Sequence, residues 1–223
     1  SGLEGVVALP NGHIAVNGRL QTDQSVGSRI HVLRPDGSVQ WSADASADGD
    51  HLSNPVSDRR VLAAAPDGGV WAAHMNQYRI DLWSSKGRLL RTITRDANWF
   101  QPWEGLDPGE PFLTRPKPRI LSMAQDQDGY LWISVMVPSR RWQPGGPEVR
   151  GLGFPGIAAY DPKWDSIIEV IDVEQSRLLY AGRMEGIGFQ LLGGDLAFRP
   201  REAEGGTHYL QVVRMTVSPP SGF

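Results

Sequence analysis

The sequence contains no cysteine among its 223 residues. Disulfide bonds and thiolate metal ligands are therefore excluded. No stretch approaches the roughly 18 uninterrupted apolar residues of a membrane-spanning helix, so we expect no membrane span within the chain. The formal net charge is only −3, and the basic run Ser139-Arg140-Arg141 is short. A basic face for nucleic acid is thus missing, and we expect no nucleic-acid partner.

Several motifs of common enzymes are also missing. The five histidines lack the HExxH spacing of zinc proteases, and there is no Gly-x-Ser-x-Gly motif of a serine hydrolase. "GLGFPG" (151–156) has a proline where a nucleotide-binding helix would begin. "DASADGD" (44–50) is more typical of a polar turn than of a calcium site. We therefore expect a chain that is not an enzyme and that has no cofactor and no metal.

Signals for long helices are almost absent. The 26 glycines and 17 prolines interrupt nearly every window longer than ten residues. Both residues disfavour helix interiors and mark turns. The composition is nevertheless 40% hydrophobic, which is enough for a globular core. These features favour an all-β protein.

A glycine-centred motif occurs four times in order. Its pattern is Gly-x-[Ile/Val/Leu]-[Ala/Trp], beginning at Gly12, Gly68, Gly129 and Gly194. Each copy follows an apolar run, as in "RILSMAQDQDGYLW". Glycine reaches the positive φ that tight hairpin turns require, so each copy predicts a strand, a turn and a second strand. The copies lie about 60 residues apart, which indicates a repeat.

A second motif follows the first in each repeat. "RIHVLRPDGSVQW" (29–41) and "RIDLWSSKGRLLRTI" (79–93) share Arg-Ile-x-[Val/Leu], with a turn glycine seven residues after the isoleucine. A looser copy occupies 156–171, and 208–217 holds a fourth copy that is cut short. Each repeat therefore predicts a four-stranded antiparallel meander.

Four-stranded sheets repeated at this interval predict a β-propeller. The blades cover approximately residues 3–56, 57–117, 118–182 and 183–223 of a single domain. One Trp or Ala recurs at a fixed position of the second strand. We expect Trp71 and Trp132 to fill the space between neighbouring blades, and Ala15 and Ala197 to leave room there for larger neighbours.

The repeats resemble those of known propellers. "ILSMAQDQDGYLWISV" (120–135) resembles the propeller repeat of bacterial sensor ectodomains, and 79–93 resembles an NHL-type blade. Together they are similar to bacterial six-bladed β-propeller proteins, many of them extracytoplasmic. The resemblance implies about two further blades and a closing strand upstream of Ser1, and a periplasmic or otherwise extracytoplasmic location. A self-sufficient four-bladed ring is the alternative.

Four charged residues lie just before the predicted inner strands. They are Glu4, Arg60, Arg119 and Glu185. We expect them at the mouth of the central channel, where two acids and two bases could hold an anion or a zwitterion. A mutually neutralising ring that only solvates the pore is the other interpretation.

Two long loops concentrate aromatic residues, arginine and proline. Residues 94–118 and 138–156 supply the candidate protein-binding residues, which are Trp99, Phe100, Trp103, Phe112, Arg140, Arg141 and Trp142. Tryptophan and arginine are frequent interface anchors, and prolines stiffen a loop in advance of binding. Alternatively, these aromatic residues fold back over a blade edge.

The sequence thus predicts a binding or scaffold propeller that docks to another protein or complex through its loops. A lactonase-like or lyase-like propeller with a channel-mouth metal is the alternative, with Glu4 and Glu185 as possible ligands. Arg60 and Arg119 at the equivalent positions disfavour a cation there.

Overall fold

A computed structural model of the protein describes residues 3–18, 29–44, 59–104, 115–144, 164–186, 188–203 and 206–217. These residues form fifteen β-strands. Helices are absent from this part of the chain, so no segment in it could cross a membrane as a helix. The expected all-β class is confirmed.

The strands form four antiparallel sheets, which are the blades of a β-propeller, each built from consecutive strands. Blade 1 contains β1 (Leu3–Ala8), β2 (Ile14–Gly18), β3 (Ile30–Leu33) and β4 (Val39–Ala43). Blade 2 contains β5 (Arg60–Ala64), β6 (Val70–His74), β7 (Arg79–Trp83) and β8 (Leu89–Thr94). Blade 3 contains β9 (Arg119–Gln125), β10 (Tyr130–Pro138), β11 (Trp164–Asp172) and β12 (Arg177–Glu185). Blade 4 contains β13 (Gln190–Gly193), β14 (Leu196–Glu202) and β15 (His208–Arg214).

The first turn of every blade carries the predicted glycine in the left-handed region. The φ angles are +80° for Gly12, +81° for Gly68, +87° for Gly129 and +56° for Gly194. Other residues adopt such angles with strain, which explains why glycine recurs there. The four equivalent turns confirm that the glycine motif marks a structural repeat.

The two repeated tryptophans lie at equivalent buried positions. Each tryptophan lies on the second strand of its blade and pairs with an alanine on the inner strand: Trp71 with Ala63, and Trp132 with Ala124. Trp71 packs in the core shared by blades 2 and 3, where its Nε1 donates to Gln125 Oε1 over 2.8 Å. Trp132 packs with Leu191 and residues after β15, between blades 3 and 4. Both therefore fill the inter-blade space, as predicted.

The inner strands β1, β5, β9 and β13 lie side by side in that order. We call the end at which these strands begin the top face, and the end that carries the four glycine turns the bottom face. A cavity of about 530 Å³ lies between the inner strands near the bottom face. All four strands line it, with Val6, Leu62, Met123 and Leu192 among its apolar residues.

Blade 4 has three strands in the described part of the chain, in agreement with the expected lack of an outer strand. The side chains of β15, the third strand of this blade, are also largely exposed, with Leu210 at 60% and Val212 at 58%. The third strand of blade 3, β11, is instead almost entirely buried. Part of the looser third repeat, 156–163, lies outside the described residues.

Candidate functional site

The two predicted channel-mouth cations, Arg60 and Arg119, contact other side chains of the protein. Arg60 and Arg119 begin β5 and β9, as expected. Arg60 is buried, and its Nε donates to Asp44 Oδ2 over 2.8 Å. The Arg119 guanidinium lies 4.9 Å from the centroid of the Trp164 ring. Glu4 lies in β1, and its side chain is outside the described part of the structure.

Glu185 does not lie where the sequence placed it. It is the last residue of β12, the outer strand of blade 3, and forms a 2.7 Å ion pair with Arg141. The reason is strand length, because β11 and β12 each run for nine residues and the next inner strand begins only at Gln190. The four charges therefore do not form the expected ring. The metal-dependent alternative also loses its proposed pair of ligands.

The loop after β8 folds back onto the protein. Phe100 is 2% exposed and Trp103 is 9% exposed. Trp103 Nε1 donates to the Pro118 carbonyl over 2.7 Å, and Asn76 Nδ2 donates to the Trp103 carbonyl over 2.8 Å. Phe100 and Trp103 thus cover a blade edge, which was the alternative interpretation, and they offer no free aromatic face to a partner.

The remaining loop residues differ in exposure. Trp99 is half-buried, and its ring meets Tyr78 and Phe100 edge to face at centroid distances of 6.0 and 6.1 Å. Arg140 and Arg141 are exposed, and Trp142 is half-buried. Phe112 lies outside the described residues. A role for these residues in binding stays a prediction.

A buried carboxylate that the sequence analysis missed connects this loop to blade 3. Glu169 on β11 is fully buried, accepts a 2.5 Å hydrogen bond from the Tyr78 hydroxyl, and forms an ion pair with Arg95. Burial raises the pKa of Tyr78, although Arg95 acts in the opposite direction. Arg95 also lies 5.8 Å from the centroid of the Trp99 ring. The position of Trp99 is therefore tied to the interface between blades 2 and 3.

A pocket of about 260 Å³ lies beside Trp99 on the top face. Its walls are Asn98, Trp99 and Gln101 from the start of the β8–β9 loop, residues 115–118 from the end of the same loop, residues 137–138 at the end of β10, and Arg183 on β12. Arg183 is held by Asp165 Oδ2 at 2.7 Å and by the Pro138 carbonyl at 2.7 Å. We call this the Trp99 pocket.

Trp103→Phe is expected to lower the free energy of unfolding by about 1–2 kcal/mol, because it leaves the Pro118 carbonyl without its buried donor. Urea unfolding measures the change. Trp142→Phe is the control, since Trp142 is only half-buried, and it should stay within about 0.5 kcal/mol of the wild type. An equal loss in both variants would show that the loop is not held by the Trp103 hydrogen bond.

A second buried polar group lies at the top of blade 2. His74 Nε2 is 3.5 Å from Asp81 Oδ2, and both residues are buried. Burial lowers the pKa of His74, and Arg60 adds to this, while Asp81 and Asp44 oppose it. Burial by itself would raise the pKa of Asp81, but contacts with His74, Thr92 and Arg79 lower this pKa to about 2. Both groups therefore hold fewer protons when the protein is folded than when it is unfolded at acidic pH.

The free energy of unfolding should accordingly fall as the pH drops below about 6.5. In that range His74 binds a proton more readily in the unfolded chain than in the folded chain, and the slope is at most about 1.4 kcal/mol per pH unit for one proton. Asp81 adds a further loss between pH 3.8 and about 2. Urea unfolding from pH 7.5 to pH 5 tests the His74 contribution. His74→Gln should flatten this slope, and an unchanged slope in the variant would assign it to other groups.

No group of three or more histidine, aspartate or glutamate residues in the described part of the chain could hold a metal ion. The aspartates of "DASADGD" after Asp44 lie outside that part. The polar and aromatic side chains that line the Trp99 pocket are those of Trp99, of the amides Asn98 and Gln101, and of the cations Arg115, Lys117 and Arg183.

Residues 114–136 match the family model of the two component regulator propeller. They include β9, its glycine turn and most of β10. The predicted resemblance of 120–135 to propeller repeats of bacterial sensor proteins is confirmed by this match. No curated protein was found to be similar in sequence.

The chain is similar to several solved structures at very low sequence identity. A member of the DUF4221 family from Bacteroides vulgatus has a TM-score of 0.53 and 6% identity over 91% of this chain. The chain spans 61% of the length of that structure. A catalytically inactive virginiamycin B lyase from Staphylococcus aureus with quinupristin has a TM-score of 0.41 and 12% identity, covering 98% of this chain and 71% of the other. A luciferin-regenerating enzyme has a TM-score of 0.44 and 14% identity, with 93% and 59% covered.

The expectation that this chain is not an enzyme is corrected by these comparisons. The similar solved structures include a lyase and a luciferin-regenerating enzyme. At such identities the likeness shows the fold alone and assigns no reaction. The chain is a β-propeller, and residues 114–136 in its third blade match the model of the two component regulator propeller.

Proposed function

We propose that the protein docks to another protein through its top face, around the Trp99 pocket. The observation that carries this proposal is a half-buried tryptophan at a pocket whose walls are fixed by the fold. Tryptophan is among the residues that contribute most to protein interfaces, especially when it lies next to a pocket.

The rigidity of the walls supports the proposal. Trp103 forms hydrogen bonds with Asn76, between β6 and β7, and with Pro118, at the end of the β8–β9 loop. Arg95, at the start of the β8–β9 loop, forms an ion pair with Glu169. Residues 116, 118 and 138 are prolines, which restrict the backbone. A preordered surface loses less conformational entropy when a partner binds. A location outside the cytoplasm is part of the same proposal, and it rests on the resemblance of the repeats to bacterial propellers, many of them extracytoplasmic.

A photo-crosslinking amino acid at two exposed positions tests the proposal. Gln101 lies at the pocket, whereas Lys86 lies in the β7–β8 turn at the bottom face and is the control. In cells of the source organism, the chain substituted at Gln101 should form a discrete crosslinked product with a partner, and the chain substituted at Lys86 should not.

Adding Trp99→Ala to the Gln101 variant should reduce that product strongly while the domain remains folded. Crosslinking at Lys86 but not at Gln101 would place the partner on the opposite face and contradict the proposal. Equal crosslinking at both positions would indicate nonspecific contact and would contradict it as well.

A further inference from the structure

The charge of the Trp99 pocket points to a particular kind of partner. Three cations line the pocket, Arg115, Lys117 and Arg183, and no carboxylate lines it in the described part of the chain. This contrasts with the whole sequence, whose formal net charge is −3. The pocket is therefore a local basic site on a mildly acidic protein.

Two of these cations are exposed and have no ion-pair partner in the part of the chain that the structure describes. Arg183 is occupied by Asp165, which also accepts from the backbone amide of Arg140. Arg115 and Lys117 are exposed, and neither forms an ion pair within the described residues. A cation that forms no ion pair within the described residues can pair with a carboxylate from outside the molecule without breaking any ion pair described here.

The pocket also has an apolar part. Trp99 and residues 116, 118, 137 and 138 line the same pocket as the three cations and supply its apolar part. An aliphatic side chain could occupy a volume of about 260 Å³, while carboxylates on either side of it meet Arg115 and Lys117.

We infer that the Trp99 pocket binds an acidic segment of a partner protein, in which aspartate or glutamate residues flank an apolar side chain. This inference rests on the proposed docking function and adds the chemistry of the partner. The net charge of the protein is negative and repels an acidic segment, whereas the cations of the Trp99 pocket attract it. This difference favours approach of the segment to the top face.

Two labelled eight-residue peptides test the inference by fluorescence anisotropy. One alternates glutamate with leucine, and the other has glutamine in place of every glutamate. The glutamate peptide should bind about tenfold more tightly at low salt, and raising the ionic strength should reduce its affinity. Equal affinity of the two peptides would overturn the inference.

A matched pair of double variants locates the effect. Arg115→Gln with Lys117→Gln should weaken binding of the glutamate peptide roughly five- to tenfold, as expected for two exposed ion pairs. Lys86→Gln with Arg88→Gln removes the same charge from exposed residues at the bottom face and should leave the affinity unchanged. All four residues are exposed, so thermal unfolding should show that both variants are folded. An equal loss in both double variants would show a general charge effect and overturn the inference.

The crosslinking experiment at Gln101 separates this inference from the proposal on which it rests. A partner crosslinked at Gln101, combined with no preference for the glutamate peptide, would keep the docking function and reject the acidic segment. Absence of a crosslinked partner at Gln101 would reject the docking function itself.

Discussion

Trp71→Ala is expected to lower the free energy of unfolding by about 3–5 kcal/mol. Trp71 is fully buried and packs against Ile120, Leu131 and other residues of blade 3, so alanine would leave a cavity between two blades. The substitution also removes the donor to Gln125 Oε1. Urea or thermal unfolding of the purified domain measures the change.

Trp142→Ala is the control for this prediction, because Trp142 is half-buried on a loop after β10. It should cost much less stability than Trp71→Ala. If the two substitutions cost the same, Trp71 would not be the inter-blade core residue that the structure describes.

Glu169→Ala is expected to lower the free energy of unfolding by about 3 kcal/mol, because breaking a buried ion pair leaves its partner uncompensated. Arg95 would lose its carboxylate, and the buried Tyr78 hydroxyl would lose its acceptor. Because Arg95 also contacts the Trp99 ring, the emission of Trp99 should change in this variant. Unfolding and tryptophan fluorescence report the two effects.

A double-mutant cycle isolates the Glu169–Arg95 interaction. Arg95→Ala combined with Glu169→Ala should cost less than the sum of the two single substitutions, with a coupling energy of about 1 kcal/mol or more. Strictly additive losses would show that the Glu169–Arg95 ion pair does not contribute to stability.

The repeated architecture could be predicted from the sequence because its signals are local. Gly12, Gly68 and Gly129 occupy turns whose positive φ only glycine adopts easily, and Trp71 and Trp132 follow them at a fixed distance. The blade 3 boundary was not predictable in the same way. The β11–β12 turn, 173–176, contains no glycine, and its positive-φ residue is Ser176. Without the turn signal, β12 was not recognised and Glu185 was assigned to the wrong strand.

The candidate site could be predicted only in part, since it depends on contacts between distant residues. The loop after β8 was recognised from its aromatic residues and prolines, but nothing local shows that Phe100 and Trp103 turn inward while Trp99 stays half-exposed. Glu169 meets Tyr78 across 91 positions of the chain. Its only local signal is a single charge within the apolar run "SIIEVI", which is consistent with a buried and paired carboxylate.

Amide hydrogen exchange of the chain, alone and with its crosslink-identified partner, tests the central claim most directly. Docking at the Trp99 pocket predicts added protection of the backbone amides in residues 98–101 and of Lys117. Residues 116 and 118 are prolines and carry no backbone amide hydrogen. The bottom-face turns at Gly12, Gly68 and Gly129 should exchange as in the free chain. Protection confined to those turns or to the exposed strand β15, with none around the pocket, would contradict the account.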